Sequence, residues 1–482
     1  MSAAAGRPLQ GNDMKNQATT FAGIRVASDL KRRHFFFLYL NTLIMGMLMV
    51  LPAILQPAFL KDIIRVSPDY FGYINGFLQS MSQLATLSFV GVVGVISDRV
   101  GRKILALIGF CVLFVFYYLL GMSNEIAAAL HVPAGLSSRI CAALAFAPSR
   151  AAEFADFSPG LLTACVIRLV VGIGIILVYP QFITMVADYT GARDRGKGMA
   201  LNGLMLGLAS IIVFAAIAPL GRAGGVEALF AVAALLAAVG GACTLLFLKE
   251  RRAPVREKNT SGLRDLCRVV MKSPAIRGGY ICALVSRADI PIMATFTIAW
   301  AVRAGDSFQM TAETATQKGS VAMIVMSVVS FLAFPVIGRL LDRGDRALTL
   351  VASLLCAGTG MLIAAAGPSP FGAQMLGSMV LIGFGVSGAV AGINTLVAGA
   401  SPRQMLGSVL GGLNTMPPLG MLFFLQAGGY LFDVLGPGWA FGLKGSANLL
   451  LAVWLIATKD RFRTAPAEAG KTGTGPSGEF RL

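Results

Sequence analysis

Runs of about twenty apolar residues recur along almost the whole 482-residue chain, and each is long enough to cross a bilayer core of about 30 Å as a helix. No other feature constrains the fold as tightly. Inside lipid every backbone N–H and C=O must find a partner within the protein, so such a chain folds as a bundle of membrane-spanning helices. The period-two alternation of a barrel strand is absent, which argues against a β-barrel. Composition agrees: 13% of residues are charged, against about a quarter in soluble proteins, and mean hydropathy is +0.74. The expected fold class is an all-α polytopic membrane protein.

Twelve runs are expected to span. Six lie at about 35–59, 72–96, 103–122, 161–184, 198–220 and 226–248, and six at about 278–302, 318–338, 347–367, 374–399, 406–432 and 438–457. The organisation is then an N-terminal segment 1–34, a six-helix half 35–248, a basic linker 249–277, a second half 278–457 and a tail 458–482. Both terminal segments are polar enough to be expected disordered. The 124–160 loop, apolar and Ala-rich, is expected to form short helices on the membrane surface.

The net charge of +17 invites a nucleic-acid reading. Its distribution argues against one. With alternate loops assigned to opposite sides, the side holding the termini, the linker and the loops at 98–103, 188–197 and 339–346 carries the whole +17, and the other side carries −2. The positive-inside rule makes the basic side cytoplasmic. An integral protein of a bacterial inner membrane, with both termini cytoplasmic and its basic face toward anionic lipid, accounts for the charge without nucleic acid. Seven cysteines and two histidines show no CxxC or Cys/His ligand spacing, and only Cys141 falls in a loop of the far side. No cofactor, metal or disulfide framework is expected.

Between the second and third runs stands Gly94-Val-Ile-Ser-Asp98-Arg99-Val-Gly101-Arg102-Lys103. Gly94 permits close helix approach, Gly101 permits a tight turn, and Asp98 suits a helix N-terminus or an arginine. A degenerate copy, Gly338-Arg-Leu-Leu-Asp342-Arg343-Gly-Asp345-Arg346, lies 244 residues later, with Asp345 in place of the second glycine. The pattern resembles the helix 2–3 loop signature of the major facilitator superfamily of transporters, and Arg168-Leu-Val-Val-Gly172-Ile-Gly174 is similar to a fourth-helix segment of its proton-coupled members. The resemblance implies twelve helices in two six-helix halves, a central cavity, and secondary transport by alternating access. No G-x-x-x-x-G-K-[ST] loop is present, in keeping with transport without ATP.

Charges within the spans mark the candidate site, since each costs at least about 2.5–3.5 kcal/mol in lipid on insertion scales. Arg168 points to an interior pathway or snorkels to the headgroups. Arg287 and Asp289, near the middle of the seventh run, stand about 200° apart on a helix, so one is expected to face the cavity and the other a neighbouring helix. Asp289 is the expected carrier of a coupling proton, and Arg287 and Arg168 the contacts for an anionic group, because a guanidinium offers a planar donor fork. Asn41, Gln79, Gln83, Asn394 and Asn414 are candidate cavity residues. Gly94, Asp98, Arg99, Gly101, Arg102, Asp342 and Arg343 form the candidate gate. Pro417 and Pro418 are expected to bend the eleventh run, and Pro291 to loosen the seventh.

The expected function is movement of a small organic solute, an anionic metabolite being one, coupled to protons, by a monomer. Two alternatives stand beside it: an efflux antiporter for drugs or metabolites, whose Gly-Pro pair in the fifth run is missing here, and a scaffold or sensor of facilitator shape that transports nothing. No nucleophile–base constellation supports an enzyme.

Overall fold

The computed structural model describes residues 20–21, 24–25, 30–144, 148–190, 194–250, 263–402 and 405–462. Eleven helical stretches in it are long and apolar enough to cross a membrane. Spans 1 to 4 are Arg32–Ile64, Pro68–Ser97, Arg102–Gly121 and Ser158–Tyr189. The next stretch, Gly196–Phe247, has 52 residues, about twice what a bilayer core needs. It folds back at Gly225, whose φ of 73° and ψ of −179° are open to glycine and to few other residues. The hairpin is tight: a Cβ on Gly221 would lie 2.9 Å from the Leu229 side chain, eight residues on. Spans 5 and 6 are the two arms of this hairpin. Spans 7 to 12 are Pro274–Phe308, Ala312–Arg343, Arg346–Ala365, Ala373–Ala400, Leu406–Val434 and Gly438–Thr458, so the chain crosses twelve times, six in each half.

Proline breaks two spans where function is expected. Span 7 consists of Pro274–Ser286 and Asp289–Gly305, separated by Arg287 and Ala288. Pro291 has no N–H to donate, and its ring crowds the carbonyl four residues back, that of Arg287. Span 11 consists of Leu406–Leu413 and Met416–Val434. Pro417 and Pro418 act there on the carbonyls of Leu413 and Asn414 by the same rule.

The halves meet tightly at the end far from the termini. Spans 2 and 11 touch through glycine: a Cβ on Gly429 would lie 2.7 Å from the Gly72 carbonyl oxygen and 2.8 Å from Tyr73 Cα. Asp433, at the end of span 11, accepts the backbone N–H groups of Gly72 and Tyr73 at 2.7 Å each, at the start of the helix Phe71–Val100. Lys61 pairs with Asp306 at 2.5 Å, and Asn75 donates to the Thr295 carbonyl at 3.2 Å. Midway, Ser210 of span 5 and Ser327 of span 8 are 3.0 Å apart. At the termini end several helix faces are unpacked: a Cβ on Gly91, Gly94, Gly203, Gly407 or Gly411 would meet nothing within 4 Å.

Three expectations change. Within the N-terminal segment, Thr20–Phe21 pairs with Ile24–Arg25, and Phe21 stacks on Tyr39 at 6.2 Å; an aromatic cluster of Phe35, Tyr39 and Tyr189 offers these apolar residues a dry surface. The 124–160 loop does form helices, Ser123–Ala129 and Ala134–Leu144, with a 3-10 turn at Pro148–Phe154. Rather than lying free on the membrane they cap the far end of the first half, tied by Tyr73 to the Leu144 carbonyl, Tyr70 to Glu153 at 2.9 Å and Ser137 to Ser158 at 2.9 Å. Burial there pushes the Cys141 thiol up to about 11, so it stays protonated. Finally, Gly94 makes no close approach to a neighbouring helix: it is exposed, and a Cβ there would meet nothing within 4 Å.

Candidate transport site

In the first half the site is built around Arg168. Gly172, one turn further along span 4, lets the helix lie directly on span 2: a Cβ there would be 2.8 Å from Ser82 Cα and 2.8 Å from Ala85 Cβ. This contact brings Arg168 to Gln79, whose Oε1 accepts from Nη2 at 2.9 Å. Arg168 is 1% exposed, so it points inward and does not snorkel. Its Nε and Nη1 have no hydrogen-bond partner. A cavity of about 150 Å³ opens beside it, with Gln79, Gln83, Ser82, Thr86 and Tyr179 in its wall. The two glutamines, four apart on span 2, thus share a lining face. Asn41 is fully buried with neither amide atom bonded, and is not in the wall of this cavity.

In the second half Arg287 and Asp289 diverge, as their 200° separation requires. Arg287 stays half-buried at the break of span 7, donates from Nη2 to Asn394 Oδ1 at 2.7 Å, and stands within electrostatic reach of Tyr179 from the first half. Asp289 turns the other way, into span 12, and is fully buried. Lys444 pairs with its carboxylate, and Asn448 donates to both carboxylate oxygens at 3.0 and 3.1 Å while accepting from Lys444 at 2.7 Å. The ring of Phe424 lies 5.0 Å beneath the Lys444 ammonium. Asn414 is exposed at the break of span 11.

Lys444 and Asn448 escaped the sequence reading, although a signal existed: a lysine in the middle of an apolar span, with an amide four residues on, is as unusual as Asp289 itself. Asp433 likewise carried no motif.

The gate residues lie at the termini end. Gly101 takes φ 108° between spans 2 and 3, a turn that needs glycine. Arg102 pairs with Asp188 at the end of span 4. The acid on the N-terminus of span 3 is Glu250, which accepts the backbone N–H groups of Arg102 at 3.0 Å and Lys103 at 2.7 Å. The Asp98 side chain lies outside the described residues, and Arg99 is exposed. In the copy, Asp342 and Arg343 are exposed, and Asp345, the residue that departs from the motif, caps span 9 by accepting from Ala347 N–H at 2.8 Å.

Two six-helix halves, joined at one end, open at the other and charged at mid-depth, define a membrane carrier. The chain belongs to the Major Facilitator Superfamily, whose family model matches residues 35–312 and 290–481. It is 24% identical over 430 residues to the magnetosome protein MamH of Paramagnetospirillum magneticum, covering 89% of this chain and 93% of the relative. It is 24% identical over 428 residues to the magnetosome protein MamZ of Magnetospirillum gryphiswaldense, covering 87% of this chain but only 62% of that relative. Among solved structures it is similar to a POT family transporter in complex with 5-aminolevulinic acid (TM-score 0.66, 12% identity, covering 93% of this chain and 99% of that one). It is also similar to the D-xylose-proton symporter (TM-score 0.63, 14% identity, covering 88% and 97%). At these identities the structures speak for the fold alone. The chain is a transporter by family, not an enzyme.

Proposed function

We propose that the protein is a secondary active transporter that carries a small organic solute with an anionic group by alternating access, coupled to protons. The observation that carries this reading is Arg168: a fully buried guanidinium with two unbonded nitrogens beside a cavity that Gln79 and Gln83 also line, in a molecule whose halves are sealed at one end only. A scaffold that moved nothing would have no reason to bear that desolvation cost.

The side with the positive loops is taken as cytoplasmic, which makes this conformation closed outward and open inward. The solute binds near Arg168, Gln79 and Gln83 on one half and Arg287 with Asn394 on the other. A proton on Asp289 would cancel its attraction for Lys444 and free the second half-helix of span 7, which begins at Asp289, to shift. The loop of Asp98, Arg99 and Gly101, with Asp342 and Arg343 in its copy, closes the inner end in the opposite state, when Gly94 finds a neighbour. The bacterial inner membrane is the location that the charge pattern favours; the magnetosome relatives give a magnetosome membrane as a second.

The test is transport in proteoliposomes. Asp289→Asn is expected to lose gradient-driven accumulation while retaining exchange, and accumulation with unchanged pH dependence would remove the proton role. A reporter fused after Lys258 should be active only on the cytoplasmic side.

A further inference from the structure

We infer that the transported solute is a dianion, held at one anionic group by Arg168 of the first half and at the other by Arg287 of the second. This deepens the transport reading and rests on it. The argument is a charge count at mid-depth. A guanidinium cannot shed its proton in a protein, so both arginines stay positive wherever they are placed. Among the described residues neither has an acidic partner. Arg168 donates to Gln79 and lies against the Tyr117 hydroxyl, and its Nε and Nη1 make no well-formed hydrogen bond. Arg287 bonds only Asn394, and its Nε is left over. Asp289, the one acid close to them in sequence, is taken by Lys444 in a pair that is neutral as a whole. At the sealed end Lys61 pairs with Asp306 across the halves, and Arg303 with Asp433 within the second half.

Two permanent positive charges therefore stand at mid-depth, one in each half: Tyr179 lines the Arg168 cavity and is within electrostatic reach of Arg287. Closing the inner end brings the halves, and these charges, together while water leaves. Like charges repel more strongly as the dielectric falls. A solute with two negative charges removes the repulsion and satisfies the leftover donors. A monoanion leaves one arginine uncompensated, and a neutral solute leaves both. The ligand chemistry is two acceptor groups of total charge near −2, which a dicarboxylate or a phosphate monoester supplies. The amides Gln79, Gln83 and Asn394 suit hydroxyl or carbonyl groups between them.

The experiment reads conformation and transport together. Spin labels at Asp69→Cys and Ser307→Cys, exposed positions on opposite halves at the sealed end, are placed on full-length protein in lipid nanodiscs, with the exposed Cys111 and Cys267 changed to Ser. The probes are succinate and glycerol 3-phosphate, with butyrate and glycerol as their monoanionic and neutral counterparts. One of the two dianions is expected to shift the label distance and to drive counterflow in proteoliposomes, and which one does so separates dicarboxylate from phosphate monoester. Butyrate and glycerol are expected to do neither. Arg168→Lys keeps charge and loses the fork, and should weaken the response at least about thirtyfold, as truncation of a buried charged hydrogen bond does. A response to butyrate or glycerol equal to that of the dianions, or a response to pH alone with none to either dianion, overturns the dianion and leaves the carrier reading standing. A label distance fixed under every condition, with no counterflow, overturns both.

Discussion

The Lys444 ammonium sits against the Asp289 carboxylate with neither side chain exposed, and the pair joins span 12 to the first turn of the second half-helix of span 7. Asn448 holds both carboxylate oxygens, so the acid has no unmet acceptor facing lipid. Charges buried in this way are costly alone and tolerable together.

That asymmetry gives the first prediction. Lys444→Ala strands a buried carboxylate and should cost about 3–5 kcal/mol of stability. The double change Asp289→Asn with Lys444→Gln leaves neutral groups in the same space and should recover most of that loss. Thermal unfolding in detergent reads both, and equal losses in the single and double variants would mean that the pair is not an energetic unit.

A second prediction concerns the sealed end. Asp433 takes two backbone N–H groups at 2.7 Å where the Gly72 helix begins, with Arg303 at 3.7 Å. Hydrogen bonds to a charged group contribute about 1.5–3 kcal/mol. Asp433→Asn should therefore open the outer end at least about tenfold more often, since 1.4 kcal/mol is a factor of ten. Cysteine labelling from outside at Ser80→Cys, buried between spans 2 and 11 in this conformation, measures it; an unchanged labelling rate would show that glycine packing alone keeps the end shut.

Glu250 and Asp98 should separate stability from turnover. Glu250 caps span 3 in this conformation, so Glu250→Ala should lower stability by about 1 kcal/mol, the usual worth of a helix cap. Asp98→Asn should leave expression near normal and slow transport, because its latch is expected in the outward-open state. Wild-type turnover of that variant would remove the latch.

Two glycines on spans 2 and 4 make a matched pair of tests. A Cβ at position 172 would press on Ser82 and Ala85, so Gly172→Val should push span 4 off span 2, part Arg168 from Gln79, and reduce solute affinity. A Cβ at position 94 meets nothing here, so Gly94→Ala should leave this conformation intact or slightly firmer, alanine being the better helix former by about 1 kcal/mol. Its transport should still fall, since closing the inner end brings a neighbour to that face. Equal transport by Gly94→Ala and the native protein would show that no close approach occurs there.

Much of the architecture was legible because its causes are local. Hydropathy gave the spans, Pro291 with Pro417 and Pro418 gave the breaks, and Gly101 gave the turn. The i, i+4 spacing of Gln79 and Gln83 put both on one face, and the two-residue spacing of Arg287 and Asp289 put them on different ones. The capping acids carried no signal of their own. The Asp98 side chain, expected on a helix N-terminus or an arginine in the opposite state, lies outside the described residues, and the acids on helix N-termini are Glu250 on span 3 and Asp345 on span 9. A cap across chain segments depends on where the end of span 6 comes to rest, which no motif in the 94–103 loop encodes.

The sequence by itself determined that this chain crosses a membrane twelve times, that its basic loops fall together on one side, and that charge at mid-depth needs a reason. Those are consequences of transfer free energy and backbone geometry, which act residue by residue. Only the tertiary structure decided which charges answer one another. Asp289 finds Asn448, 159 residues away, and Lys444 beside it, while Arg168 and Arg287 are left to amides. Partnership in a helix bundle is set by which faces pack together, and packing is a property of pairs of helices, not of either sequence alone.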